Sequence, residues 1–72
     1  DSYTSELFKS GINRIAQKVI EEAGETALAS LGPNREDTIC EISDLLYHLL
    51  VMMSDLEITP ENVWSELKNR SK

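Results

Sequence analysis

From Ile12 to Leu31 the apolar residues Ile12, Ile15, Ala16, Val19, Ala23 and Ala27 recur every three or four positions. That period stacks them on one side of an α-helix and leaves Arg14, Lys18, Glu21 and Glu25 on the other. Glu22 falls at the border of the apolar face, where a side chain can look toward a neighbouring helix. A second helical pattern runs from about Arg35 to Leu56, with Ile42, Leu45, Leu46, Leu49, Leu50 and Met53 as a wide apolar face. Cys40, Tyr47 and Val51 carry apolar character further round the cylinder, so the polar stripe is narrow: Asp37, Glu41, Asp44, His48 and Asp55. Gly32-Pro33-Asn34 breaks the two patterns apart, and Asn34 suits an N-cap with Glu36 and Asp37 in the first turn. A short helical turn is expected over residues 4–10, with Leu7-Phe8 as its apolar pair and Gly11 ending it. Thr59-Pro60 starts a last helix anchored by Val63, Trp64 and Leu67.

No stretch shows strand alternation, so the pattern predicts an all-α fold of two long antiparallel helices plus shorter terminal helices. A lone chain would leave much of the second helix's apolar surface wet. The expected remedy is a homodimer in which the long helices form a four-helix bundle core. At 72 residues the chain reads as one domain, residues 1–72.

Thirteen acids against seven Lys and Arg give a net charge of −6. That balance argues against nonspecific binding to nucleic acid or an anionic membrane, both of which need a basic footprint. The richest apolar stretch, Leu45 to Met53, is about half the length a bilayer span requires. The polar N-terminus has no cleavable apolar region. A lone Cys40 excludes an internal disulfide, fits a reducing cytoplasm, and reads as a small buried apolar residue.

Chemistry concentrates in two acidic clusters, Glu21-Glu22-x-x-Glu25 and Glu41-x-x-Asp44. A spacing of three stacks carboxylates on one helix face, where they repel unless a cation lies between them. Two readings are open: a solvated acidic face, or an oxygen-rich cage for Mg²⁺, with Mn²⁺ as a substitute. Arg14 and Lys18 lie one and two turns upstream. They either pair with the acids, Lys18 with Glu22, or bind phosphate oxygens beside a metal. His48 is either a hydrogen-bonded structural residue or a contact to substrate or metal-bound water. Gly-rich phosphate loops, Cys-x-x-Cys pairs and Ser-His-Asp sets are missing, which leaves metal-assisted attack of water on a phosphoanhydride as the catalytic reading.

With these clusters placed, the chain resembles the phosphoribosyl-ATP pyrophosphohydrolases of histidine biosynthesis, within the wider MazG-like all-α nucleotide pyrophosphohydrolases. The resemblance rests on Ser2-Tyr3-Thr4, the run Arg14-Ile15-Ala16-Gln17-Lys18-Val19, both acidic clusters, and Ser43-Asp44-Leu45-Leu46-Tyr47-His48-Leu49-Leu50-Val51. It implies an all-α cytoplasmic dimer that uses Mg²⁺ to cleave the α–β phosphoanhydride of phosphoribosyl-ATP, giving phosphoribosyl-AMP and pyrophosphate. The ligand positions it implies are Glu22, Glu25, Glu41 and Asp44, with Glu21 behind them or as the base orienting water. Arg14, Lys18 and Arg70 are then expected to bind the departing pyrophosphate, with His48 a further substrate-binding candidate. Family members often have Gly where this chain has Ile20, a change expected to alter helix packing and leave the chemistry intact. In many organisms this domain is the C-terminal half of a fusion with the cyclohydrolase of the next step, and a chain starting at Asp1 is compatible with that. Two alternatives stay open: a house-cleaning nucleotide pyrophosphohydrolase, and a non-catalytic helical dimerisation module.

Overall fold

Gly11 and the Gly32-Pro33-Asn34 turn divide the chain where the pattern expects, and a computed structural model describes residues 2–71. Four α-helices follow in order: α1 (Ser2–Ser10), α2 (Ile12–Ser30), α3 (Arg35–Asp55) and α4 (Pro60–Arg70). The fold is all-α; no strand occurs among the described residues. α1 is longer than the expected turn, reaching back to Ser2. It ends because Gly11 takes φ +87°, a left-handed conformation that L side chains rarely adopt, and α2 restarts at once. Asn34 caps α3 as expected, its side chain accepting the Glu36 backbone N–H. Thr59 and Asn62 cap α4 reciprocally, with Pro60 in the first turn.

α2 and α3 run antiparallel. Thr26 Oγ1 lies 3.1 Å from the Glu41 carbonyl, and Thr38 Oγ1 lies 3.1 Å from the Ala29 carbonyl. α1 lies across the other end of this pair, burying Leu7 against Ile15 of α2 and Val51 of α3. Tyr47 and Met52 pack round that small core.

The seam between the long helices is not where the hydrophobic stripes alone would put it. On α2 the covered positions are Ile15, Ala16, Lys18, Val19, Glu22, Thr26 and Ala29. At 100° per residue their centre lies about 60–70° round the helix from the mean of the apolar stripe. α3 meets α2 along a line between its polar stripe and its apolar face: Thr38, Glu41, Leu45 and Met52 are half-buried and His48 is buried, while Asp37, Asp44 and Asp55 of the stripe and Ile42, Leu46 and Leu50 of the apolar face stay exposed. Cys40, expected to be buried, is exposed, with no element among the described residues covering it. Ile20, expected to alter helix packing, is 73% exposed and packs against little.

α4 stands away from the bundle, every one of its residues exposed, with an apolar groove between Leu46, Leu50 and Met53 of α3 and Val63 and Trp64 of α4. The Cα radius of gyration is 13.9 Å. A compact domain of this length would have about 11 Å. The chain therefore presents one side of α3 and one side of α4 as an open apolar surface.

Candidate active site

Drawing Glu22 of α2 and Glu41 of α3 into one seam is what assembles the site. Glu22 is 6% exposed, on the turn of α2 that faces Glu41 and Asp44. One carboxylate oxygen from each of the three lies within 4.8 Å of the others. Glu25 is outside that triplet, but it is near enough to act on Glu41. Burial holds the Glu41 carboxyl above its ordinary 4.5. Repulsion from Glu25, a Glu25 hydrogen bond that only protonated Glu41 can donate, and the charges of Asp44 and Glu22 push it the same way. One Glu41 oxygen, Oε1, is buried and finds no hydrogen-bond partner among the described residues. An orphaned, buried carboxylate oxygen aimed among other carboxylates is costly, and a cation there would relieve both the desolvation and the repulsion. The all-oxygen donor set suits a hard divalent ion such as Mg²⁺.

The cations line one rim. Lys18 Nζ sits 3.3 Å from Glu21 Oε1 and 3.4 Å from Glu22 Oε2. Its ammonium is held above the usual 10.5, chiefly by the Glu21 hydrogen bond, so it is fully charged at neutral pH. Arg14 Nη1 is 3.9 Å from Glu21 Oε2 and donates to Gln17 Oε1 at 3.1 Å. Glu21 is exposed and points to this basic rim, away from the carboxylate triplet. In this geometry it anchors both cations.

His48 is 5% exposed. Its Nδ1 lies 2.7 Å from the Asp44 carbonyl, which can only accept, so Nδ1 carries a proton. Nε2 then accepts from the Tyr3 hydroxyl at 2.7 Å in the neutral ring. The Tyr47 ring meets His48 edge-on, and the Thr4 and Tyr47 hydroxyls bond to each other. Both ring nitrogens are thus engaged within the chain, the geometry of a structural histidine. A substrate contact through His48 requires the Tyr3 bond to open. Arg70 donates to Glu66 at 2.8 Å, and the hollow it lines is made by α4 and Ile58 alone.

Sequence reasoning passed over Thr26 and Tyr3, both of which reach the backbone or side chain of a site residue. Thr26 lies one turn after Glu22, and that spacing was the available signal.

What this arrangement can do is bind a divalent cation beside an anion-binding rim. The chain is similar to known proteins over nearly its whole length. The family model described as phosphoribosyl-ATP pyrophosphohydrolase matches residues 1–71. A phosphoribosyl-ATP pyrophosphatase of Saccharolobus solfataricus is 48% identical over 71 residues, covering 99% of this chain and 76% of that protein. Proteins named histidine biosynthesis bifunctional protein HisIE, from Campylobacter jejuni and Blochmanniella floridana, are each 54% identical over 99% of this chain. The chain spans only 34% and 33% of those two longer relatives. A match of this extent, over a site whose acidic clusters converge, places the chain in the phosphoribosyl-ATP pyrophosphohydrolase family.

Proposed function

We propose that this chain hydrolyses phosphoribosyl-ATP at its α–β phosphoanhydride, releasing phosphoribosyl-AMP and pyrophosphate in the second step of histidine biosynthesis in the cytoplasm. The observation that carries the chemistry is the convergence of Glu22, Glu41 and Asp44 with a buried Glu41 oxygen left unpaired. The family supplies the substrate.

Glu22, Glu25, Glu41 and Asp44 hold Mg²⁺ in this reading. A cation bound there neutralises charge on the phosphate oxygens and acidifies water at the site. Lys18 and Arg14 offer positive charge to the departing pyrophosphate, and Glu21 keeps both on the rim between turnovers. Glu22 has two tasks, as ligand and as the buried partner of Lys18. When substrate phosphates arrive, Lys18 can exchange Glu21 for a phosphate oxygen without leaving Glu22. Product analysis tests the reading: phosphoribosyl-AMP and pyrophosphate form in equal amounts. Inorganic phosphate in place of pyrophosphate would mean cleavage at the β–γ bond and would refute it.

The reading includes a homodimer whose long helices form a four-helix bundle. Support comes from the outward face of α3 and from α4, where Leu46, Leu50, Trp64 and Leu67 are each more than half exposed. With Glu41 and His48 drawn into the seam, Ile42, Leu46 and Leu50 are left exposed for a partner. Sedimentation at micromolar concentration should give twice the chain mass of 8.1 kDa. A monomer under those conditions would overturn the dimer.

A further inference from the structure

One hydroxyl reaches the backbone of two of the clustered acids at once. Thr26 Oγ1 lies 2.7 Å from the Glu22 carbonyl, one turn back on α2, and 3.1 Å from the Glu41 carbonyl on α3. The hydroxyl has a single proton, so the two carbonyls share it in a three-centre bond. A threonine bonded to the carbonyl four residues back is ordinarily a local affair within its helix. Here the second acceptor belongs to the opposite helix, at the level where Glu22 and Glu41 converge. The third acid is treated alike: the Asp44 carbonyl accepts from His48 Nδ1, and His48 is held in turn by Tyr3 of α1. Each carboxylate residue of the triplet therefore has its backbone carbonyl held by a side chain.

We propose that Thr26 is a positioning residue that sets the distance between α2 and α3 at the carboxylate cluster, and through it the affinity of the cluster for a divalent cation. The proposal rests on the metal reading above. Ionised Glu22 and Glu41 repel each other, and an unrestrained seam would widen to separate them. The Thr26 bridge opposes that widening at the point where it would cost most. A second threonine bridge supplies the comparison. Thr38 Oγ1 donates to the Ala29 carbonyl at 3.1 Å, across the same seam but with no acid carbonyl involved.

The test is direct titration of the metal-free chain with Mn²⁺, followed by the paramagnetic signal of the free ion, alongside pyrophosphate release. Thr26→Val keeps the branched shape and removes the hydroxyl; Thr26→Ser keeps the hydroxyl and removes the methyl. Outer hydrogen bonds made directly to ligating groups are worth about 10–100-fold in metal affinity, and one made to the ligands' backbone is expected at the low end, about tenfold. Thr26→Val should show that loss, whereas Thr26→Ser and Thr38→Val should each stay within about twofold of the parent. A purely packing role gives the opposite order, with Val tolerated and Ser worse. Parent-like affinity in Thr26→Val, or an equal loss in Thr38→Val, would overturn the proposal while leaving the metal site intact. No Mn²⁺ binding by the unsubstituted chain would overturn the metal reading, and this proposal with it.

Discussion

Glu22→Gln or Asp44→Asn should stop pyrophosphate release while leaving the chain helical. Each substitution replaces a charged oxygen donor by a neutral amide in a triplet whose oxygens lie within 4.8 Å of one another. Loss of one preorganised electrostatic group at a reacting phosphate costs about 10²–10³-fold in turnover. The fold tolerates both changes for different reasons. Asp44 is exposed and forms no ion pair among the described residues, so removing its charge relieves repulsion at Glu41. Glu22 loses its charge opposite Lys18, but Lys18 keeps Glu21 at 3.3 Å and the amide oxygen still accepts, so no buried cation is left unpaired. Far-ultraviolet circular dichroism should therefore be unchanged for both variants. Full activity in either would remove that residue from the mechanism.

Adding Mg²⁺ to the metal-free chain should raise its melting temperature, and EDTA should reverse the rise. A ligand that binds only the folded state stabilises it by about 1.4 kcal/mol at ten times its dissociation constant. For a domain of this size that is about 6–11 °C. Glu41 makes the test specific. Its carboxyl titrates above 4.5 in the folded chain, so the stability it contributes is complete below that value and lost as pH rises through the raised one. Above that raised value the metal-free chain carries an unfavourable ionised Glu41, so Glu41→Gln should raise the metal-free melting temperature there and abolish most of the Mg²⁺ response. A melting temperature indifferent to Mg²⁺ would return the acidic stripe to a solvated surface and the chain to a helical interaction module.

The helices and their caps were legible because their signals are local. Asn34, Thr59-Pro60 and Gly11 each act within one turn, and each does so in the structure. Site membership was legible in part. Placing Glu22 at the border of the apolar face was enough to suggest that it looks toward a neighbour, and it proves buried. What periodicity could not give is which apolar face meets which partner. α3 has an apolar face and a polar stripe, and the line that meets α2 takes Glu41 and His48 from the stripe and Leu45 from the apolar face. A hydrophobic pattern sums over every surface a helix will ever bury, inside the chain or outside it, so it misplaced Cys40. The spacing placed Thr26 beside Glu22, but its reach across the seam was not legible. Its effect depends on a carbonyl fifteen positions away, which only the antiparallel packing brings within reach.

Pyrophosphate release in the presence of Mg²⁺, from phosphoribosyl-ATP compared with ATP, dCTP and dUTP at equal concentration, bears most directly on the proposed activity. Release from phosphoribosyl-ATP, abolished by EDTA and absent with the plain nucleotides, is the expected result. Turnover of dCTP or dUTP with none of phosphoribosyl-ATP would contradict it and make the chain a house-cleaning pyrophosphohydrolase built on the same carboxylate seam.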